Sequence, residues 1–204
     1  MLDRAVQNLI QPLLLAAAKP LVRQRIPADA ITWTGFALGL AAAGCIAWQQ
    51  PLAGLALMAV SRLADGLDGE VARLTRPTDR GAFLDITLDF LFYASIPLAF
   101  ALADPVANAL AAAVLLAAFV GTASSFLAFA VLAERRGLKS LAYPKKCLYY
   151  LGGLTEATET LVCFTLMCLW PDVFAPLALG FAALCGLTVL ARVQAGWSTF
   201  GVSR

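Results

Sequence analysis

The 204-residue chain has no histidine. That absence removes imidazole general bases, Ser-His triads and His-ligated metals together, so acid–base chemistry falls to Asp, Glu, Lys, Tyr or Cys. Cysteine is sparse and unpatterned. The five (Cys45, Cys147, Cys163, Cys168 and Cys185) are odd in number, form no C-x-x-C pair and mostly sit in apolar runs. There they behave as small hydrophobes, and neither a zinc site nor a disulfide is expected. Charge is scarce as well: 14% of residues are Asp, Glu, Lys or Arg, against 61% hydrophobic and a mean hydropathy of +0.80. A soluble domain is about half apolar and about a quarter charged. A water-soluble fold of this size cannot hide so much apolar side chain, so the expected solvent is lipid. The length suits one domain, residues 1–204.

What is present is a series of apolar runs. A membrane helix needs about 20 residues. Six candidates occur, at roughly 31–49, 52–64 (continuing as helix to about 75), 82–103, 106–133, 157–170 and 173–191. The expected fold is therefore all-α and polytopic. Gln49-Gln50-Pro51, Ala103-Asp104-Pro105 and Trp170-Pro171-Asp172 mark tight turns between successive pairs. None of those turns holds any of the 15 Lys and Arg residues. The asymmetry predicts that both termini and the 65–81 and 134–156 connections face the cytoplasm, which requires an even number of spans. Residues 1–25 place Leu9, Ile10, Leu13, Leu14 and Leu21 at helical spacing among Arg4, Gln7, Asn8 and Gln11. An interfacial amphipathic helix fits that pattern. Ala16-Ala17-Ala18 resembles a signal cleavage site, but Gln7, Asn8, Gln11 and Pro12 interrupt the apolar core such a peptide needs.

The chemistry concentrates in Asp65-Gly66-Leu67-Asp68-Gly69-Glu70-Val71-Ala72-Arg73 and Gly81-Ala82-Phe83-Leu84-Asp85-Ile86-Thr87-Leu88-Asp89. Asp65 and Asp68 are i and i+3 on one helix face, and Asp85 and Asp89 are i and i+4 on the next. Two antiparallel helices joined by the short link Leu74–Arg80 can turn both pairs toward each other at the cytoplasmic edge. Each charged side chain inside a membrane helix costs about 2.5–3.5 kcal/mol at the bilayer centre, less near the surface. The four carboxylates also repel one another, so a compensating cation is expected. Arg73, Arg62 and Arg80 are at hand, and hard divalent ions with oxygen preference suit the ligands better. A pair of Mg²⁺ or Mn²⁺ ions in such a site can bridge a diphosphate and stabilise in-line displacement. Gly66 and Gly69 cost helix stability, about 1 kcal/mol each relative to alanine. Their bare backbone is expected to admit a bulky group, a nucleotide being suitable, with Arg73 in reach of its phosphates. Ion pairs that merely solvate a loop would explain one acidic residue, not this set.

These residues resemble the signature of the CDP-alcohol phosphatidyltransferase family, D-x2-D-G-x2-A-R, a spacer, then G-x3-D-x3-D. Asp65, Asp68, Gly69, Ala72, Arg73, Gly81, Asp85 and Asp89 fill every fixed position. The spacer of seven residues is one shorter than the usual family spacer of about eight, a change confined to a loop. The resemblance implies that Asp65, Asp68, Asp85 and Asp89 hold two divalent metals. It implies that Gly69, Ala72 and Arg73, with Asp65, Gly66 and Gly81 beside them, line the cytidine-diphosphate site. Asp89 would be the general base that deprotonates the acceptor hydroxyl. A phosphatidyl group would pass from CDP-diacylglycerol to a small alcohol, releasing CMP, in a homodimer in the bacterial inner membrane; no nucleic-acid partner is implied. Family members often carry P-N-x-x-T before the first span. Here Pro27-Ala28-Asp29-Ala30-Ile31-Thr32 departs at the Asn, and Asp29 and Thr32 serve equally as nucleotide contacts or as a helix start.

The acceptor is less marked. Lys145, Lys146 and Arg192 could bind a phosphorylated alcohol, or anchor the cytoplasmic face. Glu156 and Glu159, i and i+3 at the start of the fifth span, could hold hydroxyls or a cationic head group, with first-turn dipole stabilisation as the plain alternative. Tyr143, Tyr149 and Tyr150 suit an interfacial belt. Rival functions are a CDP-alcohol phosphotransferase with a lipid acceptor, an aspartate-rich prenyltransferase and a divalent-cation transporter. The prenyltransferase leaves Ala72, Arg73 and Gly81 unexplained, and the transporter predicts a matching carboxylate set in the last two spans that is not there.

Overall fold

The computed structural model describes residues 2–138 and 154–201, and only the backbone of residues 2–8. Every regular element among them is helical: α1 (Leu2–Arg23), α2 (Ala28–Ala47), α3 (Pro51–Leu74), α4 (Asp79–Ala103), α5 (Pro105–Arg135), α6 (Ala157–Leu169) and α7 (Phe174–Phe200), the last entered through a 3-10 turn at Pro171–Val173.

The punctuation follows local chemistry. Pro51 and Pro105 open α3 and α5 at positions where a missing N–H costs nothing. The Asp104 carboxylate caps α5 by accepting from Ala107 N at 3.0 Å, and the Thr78 hydroxyl caps α4 by accepting from Gly81 N at 3.0 Å. Gly137, at φ +66°, closes α5; Leu138 N donates back to Ala133 O at 2.9 Å, which satisfies a carbonyl the helix end would orphan. The Gln49 side-chain amide donates to Ala103 O at 3.1 Å, tying together the C-terminal ends of α2 and α4.

Among the described residues, four segments are long and apolar enough to cross a bilayer: Ala28–Ala47, Asp79–Ala103, Pro105–Arg135 and Pro171–Phe200. The other two expected spans fall short for different reasons. The 24-residue α3 has the length, but its second half carries Arg62, Asp65, Asp68, Glu70 and Arg73. With 13 residues, α6 reaches about 20 Å, against a hydrocarbon core of about 30 Å. The last helix runs nine residues past its expected end at 191, to Phe200.

The bundle is built on α2, which packs against both α3 and α4; α4 leans on α5, α5 on α7, and α1 lies against α3 and α6. The close α2–α3 approach depends on Gly35 and Gly39, a small-x-x-x-small pair. The Ser61 hydroxyl donates to Gly35 O at 2.7 Å. A Cβ at Gly39 would stand 2.7 Å from Phe92 Cδ2 and 3.1 Å from Ser61 Oγ. Ser61 and Phe92 are therefore held in place from below, and both face the functional end of the bundle. Beyond them the core is Phe92, Ile96 and Phe100 of α4 with Phe164 of α6 and Phe174 and Phe181 of α7. Phe100 and Phe174 stack at 4.6 Å.

Candidate metal and nucleotide centre

The second half of α3 and the first turns of α4 and α2 meet at one end of the bundle. There, Asp65 and Asp68 of α3 and Asp85 of α4 bring one carboxylate oxygen each to within 4.8 Å of one another. The arrangement is the one expected of antiparallel helices carrying i, i+3 and i, i+4 pairs. Asp68 is 5% exposed, and its Oδ2 atom is buried without a hydrogen-bond partner. A buried carboxylate oxygen with nothing to accept from costs several kcal/mol, and the neighbouring carboxylates raise that cost. The donor set is all oxygen and anionic, which fits a hard divalent cation.

Asp89 lies one turn beyond Asp85 and is engaged differently. Its carboxylate pairs with the Arg62 guanidinium of α3. Arg62 Nη1 is also 3.6 Å from Asp65 Oδ1, Nη2 donates to Ser61 Oγ at 3.2 Å, and the guanidinium lies 3.8 Å over the Phe92 ring. Of the three arginines near the motif, Arg62 is thus the one that neutralises the cluster. Its position three residues before Asp65 is the signal that marks it in the sequence.

The other signature residues form a rim. Thr32 stands beside the Asp68 carboxylate, and its hydroxyl donates to Ala28 O at 3.1 Å. Asp29 forms an ion pair with Arg80, and a Cβ on Gly81 would stand 3.5 Å from Asp29 Oδ1. The P-x-D-x-x-T segment is therefore brought to the start of α4. Asp29 sits in the first turn of α2, whose cap is Pro27. Arg73 pairs with the buried Glu70 at 2.8 Å and keeps more than half its side chain exposed. Ala72 is half-buried beside it. The bare backbones of Gly66 and Gly69 face side chains of this chain: a Cβ on Gly69 would lie 3.4 Å from the Arg73 guanidinium, and one on Gly66 would lie 2.9 Å from Leu14 of α1. Glu70 and Leu14 were not legible as parts of the site.

The acceptor candidates separate. Lys145 and Lys146, with Tyr143, Tyr149 and Tyr150, lie outside the described residues. Glu156 and Glu159 form a reciprocal capping box on α6, Glu159 Oε2 accepting from Glu156 N at 3.1 Å. Arg192 is 8% exposed, donates from Nη1 to Thr122 O at 2.9 Å and lies 5.7 Å from the Phe126 ring centroid. A side chain serving only as an interfacial anchor would extend its charge to water; this one turns into the α5–α7 contact. One turn away, Thr188 hydrogen-bonds Thr155 at 3.0 Å.

With this geometry in hand, comparison with known proteins gives a consistent result. The sequence model of the CDP-alcohol phosphatidyltransferase family matches residues 25–190. The chain belongs to the CDP-alcohol phosphatidyltransferase family. It is 49% identical over 199 residues to inner membrane protein YnjF of Escherichia coli (strain K12), covering 98% of this chain and 97% of that one. It is 41% identical over 92 residues to the archaetidylinositol phosphate synthase of Methanothermobacter thermautotrophicus, covering 44% of this chain and 47% of that protein. The fold resembles that of phosphatidylinositol phosphate synthase from Mycobacterium tuberculosis solved with CDP-DAG bound, at TM-score 0.73 and 21% identity, covering 91% of this chain and 94% of that chain. The same enzyme in complex with manganese and citrate aligns at TM-score 0.71 and 22% identity, over 90% of this chain and 88% of that one. The apolar helices and the inner-membrane relative make this family member a multi-pass integral membrane protein.

Proposed function

We propose that the chain transfers a phosphatidyl group from CDP-diacylglycerol to a small alcohol and releases CMP. The observation that carries this is the convergence of Asp65, Asp68 and Asp85 around a buried, unpartnered Asp68 oxygen. Asp65, Asp68, Asp85 and Asp89 would hold two divalent ions, Mg²⁺ or Mn²⁺, which supply charge neutralisation for the diphosphate and the departing CMP. Arg73, exposed beside Gly69, suits the phosphates of the nucleotide, with Gly66, Ala72 and Gly81 forming the wall and Asp29 and Thr32 the rim.

Asp89 acts as general base. The acceptor hydroxyl gives its proton to the Asp89 carboxylate as its oxygen forms a bond to the lipid-bearing phosphorus. The bond from that phosphorus to the CMP oxygen breaks, and CMP departs with the electron pair. Holding donor and acceptor in line accounts for most of the rate, as in other phosphoryl transfers. A phosphorylated alcohol is the favoured acceptor. Arg192 is a buried cation turned into the α5–α7 contact, and the archaeal relative and the mycobacterial fold neighbour are both named as inositol phosphate lipid synthases. Lys145 and Lys146 would add phosphate contacts, and the Glu156/Glu159 face would take acceptor hydroxyls.

The protein would work as a homodimer of single-domain chains. α2 to α7 would form six spans, α3 and α6 completing the set by packing against apolar neighbours. α1 would lie in the interface with Leu9 and Leu13, both exposed in this structure, toward lipid. The charge asymmetry supports cytoplasmic termini and a cytoplasmic active site.

The test is CMP release from CDP-diacylglycerol by purified protein in detergent, with Mg²⁺ or Mn²⁺ and a panel of acceptors: glycerol 3-phosphate, inositol phosphate, inositol, serine and choline. Release that requires metal and one acceptor, and is lost in Asp89→Asn, is the expected result. Release only from small CDP-alcohols with a lipid acceptor would reverse donor and acceptor. No binding of CDP in the presence of metal would sink the enzyme assignment.

A further inference from the structure

We propose that Arg62 holds the second cation position of the aspartate cluster while no nucleotide is bound. The protein then rests with one divalent ion and takes up the second only together with the cytidine-diphosphate donor. This rests on the proposed function above.

The geometry divides the four aspartates into two groups. Asp65, Asp68 and Asp85 converge on one another. Asp89 is on Arg62, which also reaches Asp65 at 3.6 Å. Arg62 therefore already contacts a carboxylate of α3 (Asp65) and one of α4 (Asp89) that a second ion would need as ligands. It is fixed there. Its guanidinium lies over the Phe92 ring at 3.8 Å and donates to Ser61 Oγ. Those two supports are themselves clamped over Gly39 and Gly35. Arginine stays charged at any working pH and presents a planar fork to carboxylates, so it is a permanent occupant. It also has somewhere to remain when Asp89 leaves, since Phe92, Ser61 and Asp65 still hold it. Only the Asp89 side chain has to turn.

Charge balance sets the order. Four carboxylates and one guanidinium leave a net of three negative charges in a half-buried site. A first divalent ion nearly neutralises it. A second, alone, would invert the sign of a poorly solvated cluster, which is costly. The donor's diphosphate brings the negative charge that makes the second ion favourable. Asp89 would then exchange Arg62 for that ion, and the base would be assembled only when the donor is in place.

The experiment is Mn²⁺ binding to the purified, detergent-solubilised protein, counted from the free Mn²⁺ signal in electron paramagnetic resonance, with and without CDP. The wild-type chain should take up about one Mn²⁺ per chain alone and about two with CDP. Arg62→Met should take up about two without nucleotide. Arg62→Gln, which keeps a donor for Ser61 but no charge, serves if the methionine variant does not fold. Two ions on the wild-type chain without CDP, or one ion on a folded Arg62→Met or Arg62→Gln protein, would overturn the inference while leaving the metal-dependent reaction standing. No Mn²⁺ uptake with CDP present would instead overturn the proposed function itself.

Discussion

Leu14 of α1 rests on the bare backbone of Gly66 in α3, the residue that follows Asp65; a Cβ added to Gly66 would come within 2.9 Å of Leu14 Cδ1. The amphipathic first helix thus touches the turn of α3 that carries Asp65 and Asp68. The intruding atom is the end of a flexible side chain, and replacing a helical glycine by alanine gains about 1 kcal/mol. Gly66→Ala should therefore leave thermal stability in detergent within about 1 kcal/mol of wild type. If the donor also needs this face, its KM should rise, and Leu14→Ala added to Gly66→Ala should not lower it again. Recovery of KM in the double variant would show that α1 packing, not the nucleotide, reads the glycine.

Gly39 is the opposite case. The atoms a methyl group would strike are the Phe92 ring at 2.7 Å and Ser61 Oγ at 3.1 Å, both packed and both supporting Arg62. Overpacking of this kind costs about 1–3 kcal/mol. Gly39→Ala should lower the unfolding temperature and, by loosening the seat of Arg62, raise Mn²⁺ uptake in the absence of CDP. Gly44→Ala and Gly180→Ala, where a methyl group meets nothing within 4 Å, should do neither.

Asp29 and Arg80 form an ion pair whose arginine side chain is 79% exposed. Exposed pairs are worth about 0–1 kcal/mol. Asp29→Asn should accordingly change stability by less than about 1 kcal/mol, and as a rim residue it should raise the KM for CDP-diacylglycerol without lowering kcat. An unchanged KM would leave Asp29 as a link between the starts of α2 and α4 and nothing more.

The helices and the catalytic signature were legible because each has a periodic or spaced pattern. Turn residues at Pro51, Pro105 and Pro171 fell where the apolar runs broke. Asp65, Asp68 and Asp85 converge as i+3 and i+4 spacing on two antiparallel helices leads one to expect. What was not legible depends on tertiary contact. Arg62 chooses Asp89 because Phe92 and Ser61 aim it there, and no local pattern records a cation stacked on a ring thirty residues away. Glu70 reads as a helix-surface acid, yet it is 5% exposed and holds Arg73. Gly66 and Gly69 read as room for a ligand; Gly66 also makes room for Leu14. The α6 apolar run, read from 157 to 170, matches the helix Ala157–Leu169, and the capping box at Glu156 fixes its start.

That capping box allows the last acceptor candidates to be separated by side-chain chemistry. Glu159 Oε2 accepts from Glu156 N at 3.1 Å, and Glu156 is itself 7% exposed. Losing a cap costs about 1 kcal/mol. A glutamine can still accept this bond, so Glu159→Gln should keep the stability of wild type, whereas Glu159→Ala should lose about 1 kcal/mol. Acceptor recognition predicts something else for the same pair. A carboxylate that holds hydroxyls or a cationic head group is impaired by loss of its charge, so Glu159→Gln would raise the acceptor KM while stability stayed constant. We expect that rise to be present for an acceptor hydroxyl contact and absent if Glu159 only closes the helix. Thermal unfolding and acceptor KM measured on both variants distinguish the two roles, because capping tracks the alanine variant alone and recognition tracks both.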